Sequence, residues 1–253
     1  MAQSAKKVMV LAGVGSATGV GSAAARLFAR SGYNVALISR ASKKLDDFAE
    51  SVRGEGGQAA VFPLASYSHA DMQSAFTAAR SHWPDTPIRV AIFNAGVPIF
   101  KPFLDTSAED FQSTVDTNVM TASSFARESI LTFKGQELDE HGKRGTLLFT
   151  GASAALRGSP VTAAFSMGKH AVRALAQSLG KEFGKENIHV AHAVVDGLIL
   201  QEHTRSLKGE DWASNPDARL DPQNIAKAYM YLVEQGRSAW TSELDLRPAH
   251  ENW

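Results

Sequence analysis

The stretch Val8-Met9-Val10-Leu11-Ala12-Gly13-Val14-Gly15-Ser16-Ala17-Thr18-Gly19-Val20-Gly21 decides how this chain folds. Its first five residues are apolar without alternation, the pattern of a parallel strand buried on both faces. Val20, Ala24, Leu27 and Phe28 then recur at helical spacing. Between strand and helix, Gly15, Gly19 and Gly21 allow a tight turn and let backbone N–H groups approach a pyrophosphate at the helix N-terminus. Ser16, Thr18 and Val20 complete this candidate phosphate-binding turn. Strand, glycine turn and helix form the context that a dinucleotide fingerprint requires. The other reading is a glycine-rich turn without a ligand.

Working outward, apolar runs at 34–40, Gln58–Leu64, Ile88–Phe93, Gly145–Thr150 and 189–195 predict further strands, and Glu243–Leu246 predicts a short edge strand. Amphipathic segments alternate with them. Residues 71–83 place Met72, Ala75, Phe76 and Ala79 on one face. Thr106-x-x-Glu109 is a capping-box pattern that opens a long helix. Asp221-Pro222 starts another, with Asp as N-cap and Pro in the first turn. Residues 135–144 are polar and rich in turn formers, which predicts an exposed loop. The expected fold is a single α/β domain over residues 1–253, a Rossmann-like doubly wound parallel sheet of about seven strands with helices on both faces.

The chain has 253 residues, 44% of them apolar, enough for one sizeable core. Lys plus Arg and Asp plus Glu number 26 each. Such a balance creates no long-range field to recruit nucleic acid or an anionic membrane. There is no cysteine, which excludes disulfides, thiolate metal sites and a cysteine nucleophile; no metal site is expected. The N-terminal apolar run is too short for a signal-peptide core or a membrane span, and Ala249-His250-Glu251-Asn252-Trp253 is no targeting signal. A cytoplasmic protein acting on a small molecule is the expectation.

Residues 146–172 hold the candidate chemistry. A strand ends in Gly151-Ala152-Ser153, and a helix over 163–184 carries Phe165-Ser166-Met167-Gly168-Lys169. Residues four apart share a helix face, so Phe165 and Lys169 face the same pocket. Ser166 is turned roughly 100° away, and His170 also points off that face. Together with Gly15-x-x-x-Gly19-x-Gly21 and Asn94-Ala95-Gly96 after a strand, these residues make the chain resemble a short-chain dehydrogenase/reductase over nearly its whole length.

The resemblance implies a nicotinamide dinucleotide at the carboxyl ends of the strands. The second strand ends in Ser39-Arg40, where an acidic residue would favour NAD. A guanidinium beside a small hydroxyl suits the 2′-phosphate of NADP(H); a solvated loop arginine is the other reading. Many relatives place an Asp after the third strand, near adenine. This chain has Leu64-Ala65-Ser66, so that contact is lost or remade by the backbone of Ala65 and Ser66. In the family, Asn94-Ala95-Gly96 steadies the sheet and approaches the adenosine. Asn118 matches the Asn that kinks the long helix and holds a water in a proton relay to the Lys, or it is a structural hydrogen-bonder. The family's Ser falls at Ala152 on a strict count, and Ser153 stands one place later; Ser153 is a displaced catalytic hydroxyl or a turn serine. The last long strand is followed by Asp196-Gly197 where relatives have Pro-Gly. Gly197 permits the turn, backbone near Ile199 meets the nicotinamide amide, and Asp196 is a turn former or a catalytic acid. Residues 198–220 match the family's mobile substrate lid. Relatives pair through the helices that hold Asn118 and Lys169, which implies a homodimer or homotetramer.

In the family, hydride passes between nicotinamide C4 and a carbonyl carbon, and a Tyr four residues before the Lys protonates the oxygen. Here that position is Phe165. General acid catalysis is worth roughly 10²–10⁴ in rate, and Tyr33, Tyr67, Tyr229 and Tyr231 lie on segments not expected to face the nicotinamide. Three readings stay open. One is an NADPH-dependent reductase whose proton comes from Lys169, Ser153 or a water held by Asn118; in a variant, an iminium substrate needs no proton on oxygen and suits the Phe165 ring. The others are a non-redox isomerase or cyclase using the same pocket, and a cofactor-binding pseudoenzyme or scaffold.

Overall fold

Six continuous apolar runs and one short edge segment build the sheet, and amphipathic helices cover it. The computed structural model describes residues 6–40 and 42–251. In chain order the elements are β1 (Lys7–Ala12), α1 (Val20–Arg30), β2 (Tyr33–Arg40), α2 (Lys43–Gly54), β3 (Gln58–Leu64), α3 (His69–His82), β4 (Ile88–Phe93), α4 (Ala108–Thr114), α5 (Ala122–Lys134), β5 (Gly145–Thr150), α6 (Ala163–Phe183), β6 (Ile188–Val195), α7 (Glu202–Lys208), α8 (Glu210–Ser214), α9 (Pro222–Glu234) and β7 (Glu243–Leu246). The seven strands lie in the order β3-β2-β1-β4-β5-β6-β7, and every pair is parallel. The order reverses between β1 and β4, so the crevice beyond their carboxyl ends is the expected ligand position.

Because successive side chains point to opposite faces, each strand feeds two cores. Met9, Leu11, Val35 and Leu37 pack with α1, α2 and α9 on one face. Val8, Val10, Phe93, Leu147 and Phe149 pack with α3, α5 and α6 on the other. Among the described residues, no helix is long and apolar enough to cross a membrane.

Two sequence expectations are corrected. The capping box lies one residue later than Thr106-x-x-Glu109: the Ser107 hydroxyl accepts from the Asp110 N–H, and the Asp110 carboxylate accepts from the Ser107 N–H. The Thr106 hydroxyl instead donates to the Pro102 carbonyl. The long helix itself is present: α4 runs through a wider, π-type turn over Val115–Thr121, which holds Asn118, into α5. Segment 135–144 is not an exposed loop throughout. Lys143 is buried, and its ammonium donates to the carbonyls of Val233 and Gln235 at the end of α9. The last carbonyls of a helix have no partner within it, and a lysine distant in sequence supplies one. Burial pulls the Lys143 pKa down.

The opening turn depends on close backbone approach. Gly13 has φ +101°, and a Cβ on it would lie 2.4 Å from the Ala95 nitrogen. A Cβ on Gly21 would lie 2.4 Å from the Gly13 carbonyl oxygen. Gly21→Ala is therefore expected to destabilise the fold by about 2 kcal/mol, read as a lower urea midpoint with an unchanged slope.

Candidate functional site at the carboxyl ends of the strands

The N-terminus of α1 opens the site. Its N-cap, Gly19, supplies no side chain, and the first turn holds no acidic residue. The turn before it is closed by its own polar groups: the Gly19 N–H donates to the Ser16 carbonyl at 3.1 Å, and the hydroxyls of Ser16 and Thr18 are 3.2 Å apart. Val20 is buried and anchors the helix. A Cβ on Gly15 would meet nothing within 4 Å, so the turn faces open space. Gln201, which sequence reasoning did not single out, brings its Oε1 to 3.5 Å from the Cβ position of Gly19.

At the β2 end, Arg40 is exposed and Ser39 half-buried. The Arg40 guanidinium lies 5.2 Å from the centre of the Tyr67 ring, a stacking surface that the sequence did not reveal. Ala65 is exposed. Ser66 differs from the expectation, because its N–H and hydroxyl both bond the Asp71 carboxylate, at 2.7 and 2.6 Å. Those bonds hold the Asp71 pKa down and commit the Ser66 donors to the start of α3. Asn94 ties β4 to β1, its side-chain amide donating to the Gly13 carbonyl at 2.7 Å. Ala95 packs against the core face that carries α3, α5 and α6.

The structure brings Gly96, Asn118, Phe165 and Lys169 together. Lys169 is 6% exposed, and its ammonium donates to the Thr150 carbonyl at 2.9 Å. Burial lowers its pKa to about 8. The ammonium stands 5.9 Å from the centre of the Phe165 ring and 3.4 Å from the Cβ position of Gly96. Phe165 is half-buried, and its ring centre lies 5.1 Å from that of Phe100. Asn118 is fully buried in the π-type turn. Its Oδ1 accepts from the Val97 N–H at 3.2 Å, and its Nδ2 has no partner among the described residues. A Cβ on Gly168 would lie 2.5 Å from that nitrogen, so the glycine before Lys169 makes room for Asn118.

Ser153 starts a short 3-10 turn, Ser153–Ala155, and is half-buried. Its carbonyl accepts from the N–H groups of Leu156 and Arg157, at 2.9 and 3.1 Å. Ser166 is buried, with its hydroxyl 2.9 Å from that of Thr162. His170 is exposed, and a ring nitrogen lies 2.8 Å from the Ser166 carbonyl.

Beyond β6, Gly197 has φ +149°, and a Cβ there would lie 2.8 Å from the Pro248 ring. The Ile199 carbonyl accepts from the Thr204 hydroxyl at 2.6 Å, which draws on one of the backbone groups expected near a nicotinamide. Asp196, read as a turn former or a catalytic acid, is buried. It is 2% exposed, with its carboxylate 3.2 Å from Arg247 and 3.4 Å from Arg157. It thereby joins the loop after β5, the start of segment 198–220 and the segment after β7. Segment 198–220 contains α7 and α8, and the Leu220 N–H donates to the Leu198 carbonyl at 2.9 Å.

Two buried side chains missed from sequence support the floor. His192 lies beneath Gly151, where a Cβ would come within 2.2 Å of its Nε2. Its Nδ1 is 3.0 Å from Glu243, which Arg173 holds through two bonds at 2.7 and 2.8 Å. Burial keeps the His192 pKa low. On the opposite face, the Tyr229 hydroxyl is 2.7 Å from that of Thr150, and burial pushes its pKa up. The β6 run and the apolar stripe of α9 placed these residues inside, but no spacing along the chain paired them with their partners.

Comparison with known proteins gives concordant results. The short chain dehydrogenase family profile matches residues 7–211. The mouse protein 3-oxoacyl-[acyl-carrier-protein] reductase is 29% identical over 228 residues, covering 89% of this chain and 91% of its own. A solved short-chain dehydrogenase from Rhodopseudomonas palustris superimposes with a TM-score of 0.78 at 29% identity, covering 97% of this chain and 99% of that one. An alcohol dehydrogenase from Thermococcus sibiricus, solved with 5-hydroxy-NADP, shares the fold with a TM-score of 0.79 at 22% identity, covering 98% of both chains.

Removing the Asp196 carboxylate takes a buried partner from Arg157 and Arg247, although Arg247 keeps its two bonds to Asp245. Asp196→Ala is expected to lower stability by about 1–2 kcal/mol, measured by urea unfolding, whereas Asp245→Ala, at a 43% exposed side chain, should change it by less than about 1 kcal/mol.

Proposed function

The chain belongs to the short-chain dehydrogenase family, and on that premise we propose that it is an NADPH-dependent oxidoreductase acting on a small carbonyl, alcohol or imine substrate, with Lys169 as the proton source. The observation that carries this reading is the placement of Lys169. An ammonium has three N–H donors, and among the described residues that of Lys169 bonds one acceptor, the Thr150 carbonyl. Two donors remain for a ribose hydroxyl and a substrate oxygen. Phe165 stands where the family has its tyrosine, so no phenol competes for that oxygen.

The residues fit the cofactor at several points. The turn at Gly15 opens into space, and the start of α1 offers N–H groups to a pyrophosphate. Ser39 and Arg40 suit a 2′-phosphate, with Tyr67 supporting the guanidinium. The unpartnered Nδ2 of Asn118 is a donor for a water that returns protons to Lys169. When bound, the cofactor supplies the hydride. Lys169 holds the proton that the reduced oxygen needs, and its lowered pKa near 8 keeps that proton transferable close to neutral pH. The 3-oxoacyl-[acyl-carrier-protein] reductase relative supports an oxidoreductase.

In the same reading, segment 198–220 closes over the substrate. The chains pair as a homodimer or homotetramer through α5 and α6, and the exposed Met120, Leu131 and Met167 support that pairing.

Calorimetric titration with NADPH and NADH is the direct test, and binding of neither would overturn the proposal. Arg40→Ala is expected to weaken NADPH at least roughly ten-fold, in line with loss of a charge-assisted phosphate contact, and to leave NADH nearly unchanged. Reduction requires the protonated ammonium, so kcat/KM should fall as pH rises through about 8. Lys169→Met should lower the rate by roughly 10² or more and abolish that pH dependence.

A further inference from the structure

One buried titratable cluster that the proposed chemistry does not use is tied to the helix turn that carries Lys169. His192 on β6 is 1% exposed, and its Nδ1 lies 3.0 Å from the Glu243 carboxylate on β7. A carboxylate only accepts, so the Nδ1–H donates and Nε2 keeps its lone pair. Glu243 is fixed in turn by Arg173, which donates to it through Nε at 2.7 Å and through a second nitrogen at 2.8 Å, a paired, charge-assisted contact. The Nε2 of His192 has no hydrogen-bond partner among the described residues. It faces the end of β5, where a Cβ on Gly151 would lie 2.2 Å from it. An imidazole held this close beneath a glycine leaves the strand end no room to sink.

The contacts form a closed circuit. Gly151 follows Thr150, whose carbonyl accepts from the Lys169 ammonium at 2.9 Å. Arg173 stands four residues after Lys169 on α6, so the two share a face. From Lys169 the circuit runs through the end of β5, His192 and Glu243 to Arg173, and so back to the same face of α6. Burial holds the imidazole pKa low, and the charges of Lys169 and Arg173 lower it further against the pull of Glu243, which keeps His192 neutral beside two cations. The side chains of Arg173 and Glu243 are each 31% exposed, so the imidazole lies between water and the strand end. We propose that His192, held by Glu243 and Arg173, is a positioning residue that fixes the Thr150 carbonyl against Lys169 and keeps water from the ammonium on that side. Its effect on turnover rests on the role proposed above for Lys169; the placement of Lys169 does not.

The test is a pH titration by NMR of the protein without added NADPH, with lysine labelled at Cε and histidine labelled with nitrogen-15; Lys169→Met and His192→Gln assign the two signals. In the wild type, Lys169 is expected to titrate near 8. His192 should show a neutral, Nδ1-protonated ring whose nitrogen shifts inflect at the same pH, and Lys169→Met should remove that inflection. His192→Val should raise the Lys169 midpoint to at least about 9 as water enters. His192→Gln, whose amide still donates to Glu243, should hold it near the wild-type value. Val52→Ala, a loss of packing on the other face of the sheet, should leave it unmoved. An Nε2-protonated ring overturns the proposal, as does a His192 signal blind to the charge of Lys169. So does a midpoint that His192→Val leaves alone, or that His192→Gln or Val52→Ala shifts as far. The first two results are read on the folded wild type and decide the matter even where His192→Val does not fold. If NADPH fails to bind the wild type, the oxidoreductase reading falls, while the positioning of Lys169 is still judged on the unloaded protein.

Discussion

A lysine ammonium buried at the end of β5 sets the geometry of the site. Isolated charge in a protein interior is costly, and here one carbonyl, that of Thr150, meets it. The bond pins α6 to the strand at a single register. Thr150 is held from the other face as well, through its hydroxyl contact with Tyr229. The strand end is therefore gripped on both sides, and Phe165, one helical turn before Lys169, inherits its position from that grip. Gly168 clears the space through which Asn118 approaches, and the π-type turn delivers Asn118 to it.

Around this point the chain trades local stability for placement. Asn118 is buried with a donor that has no partner among the described residues, Val161 holds a left-handed backbone, and Lys169 is desolvated enough to lower its pKa. None of these features helps the fold. They lie at the carboxyl ends of the strands, where open α/β sheets bind ligands. At the opposite edge, Lys143 has acceptors at the end of α9.

Long-range ion pairs complete the frame. Asp196 occupies the junction between β6 and segment 198–220 and is shared by arginines from two other segments. Glu243 on the edge strand β7 is held by Arg173 of α6 and approached by His192 of β6. Both carboxylates connect segments distant in sequence, and both lie beside the loops that line the site. Rigidity is thus built close to the pocket, where loops alone would leave it mobile.

Much of this was legible in the amino-acid sequence. Continuous apolar runs identified parallel strands because a strand covered on both faces has no polar side, and glycine spacing located the turn before α1. The i, i+4 relation put Phe165 and Lys169 on one face because a helix repeats every 3.6 residues. Periodicity is a local property, so whatever depends on it can be read locally. The capping box was misplaced by one residue because Thr106 and Ser107 are equivalent as local patterns, and only the backbone path chose Ser107. The tertiary structure alone decided the carboxylate between Arg157 and Arg247, the lysine that caps α9, the histidine beneath Gly151 and the ring that supports Arg40. In each of these, the partners are brought together by the closing of the sheet and its helices, and their separation along the chain carries no signal of the contact.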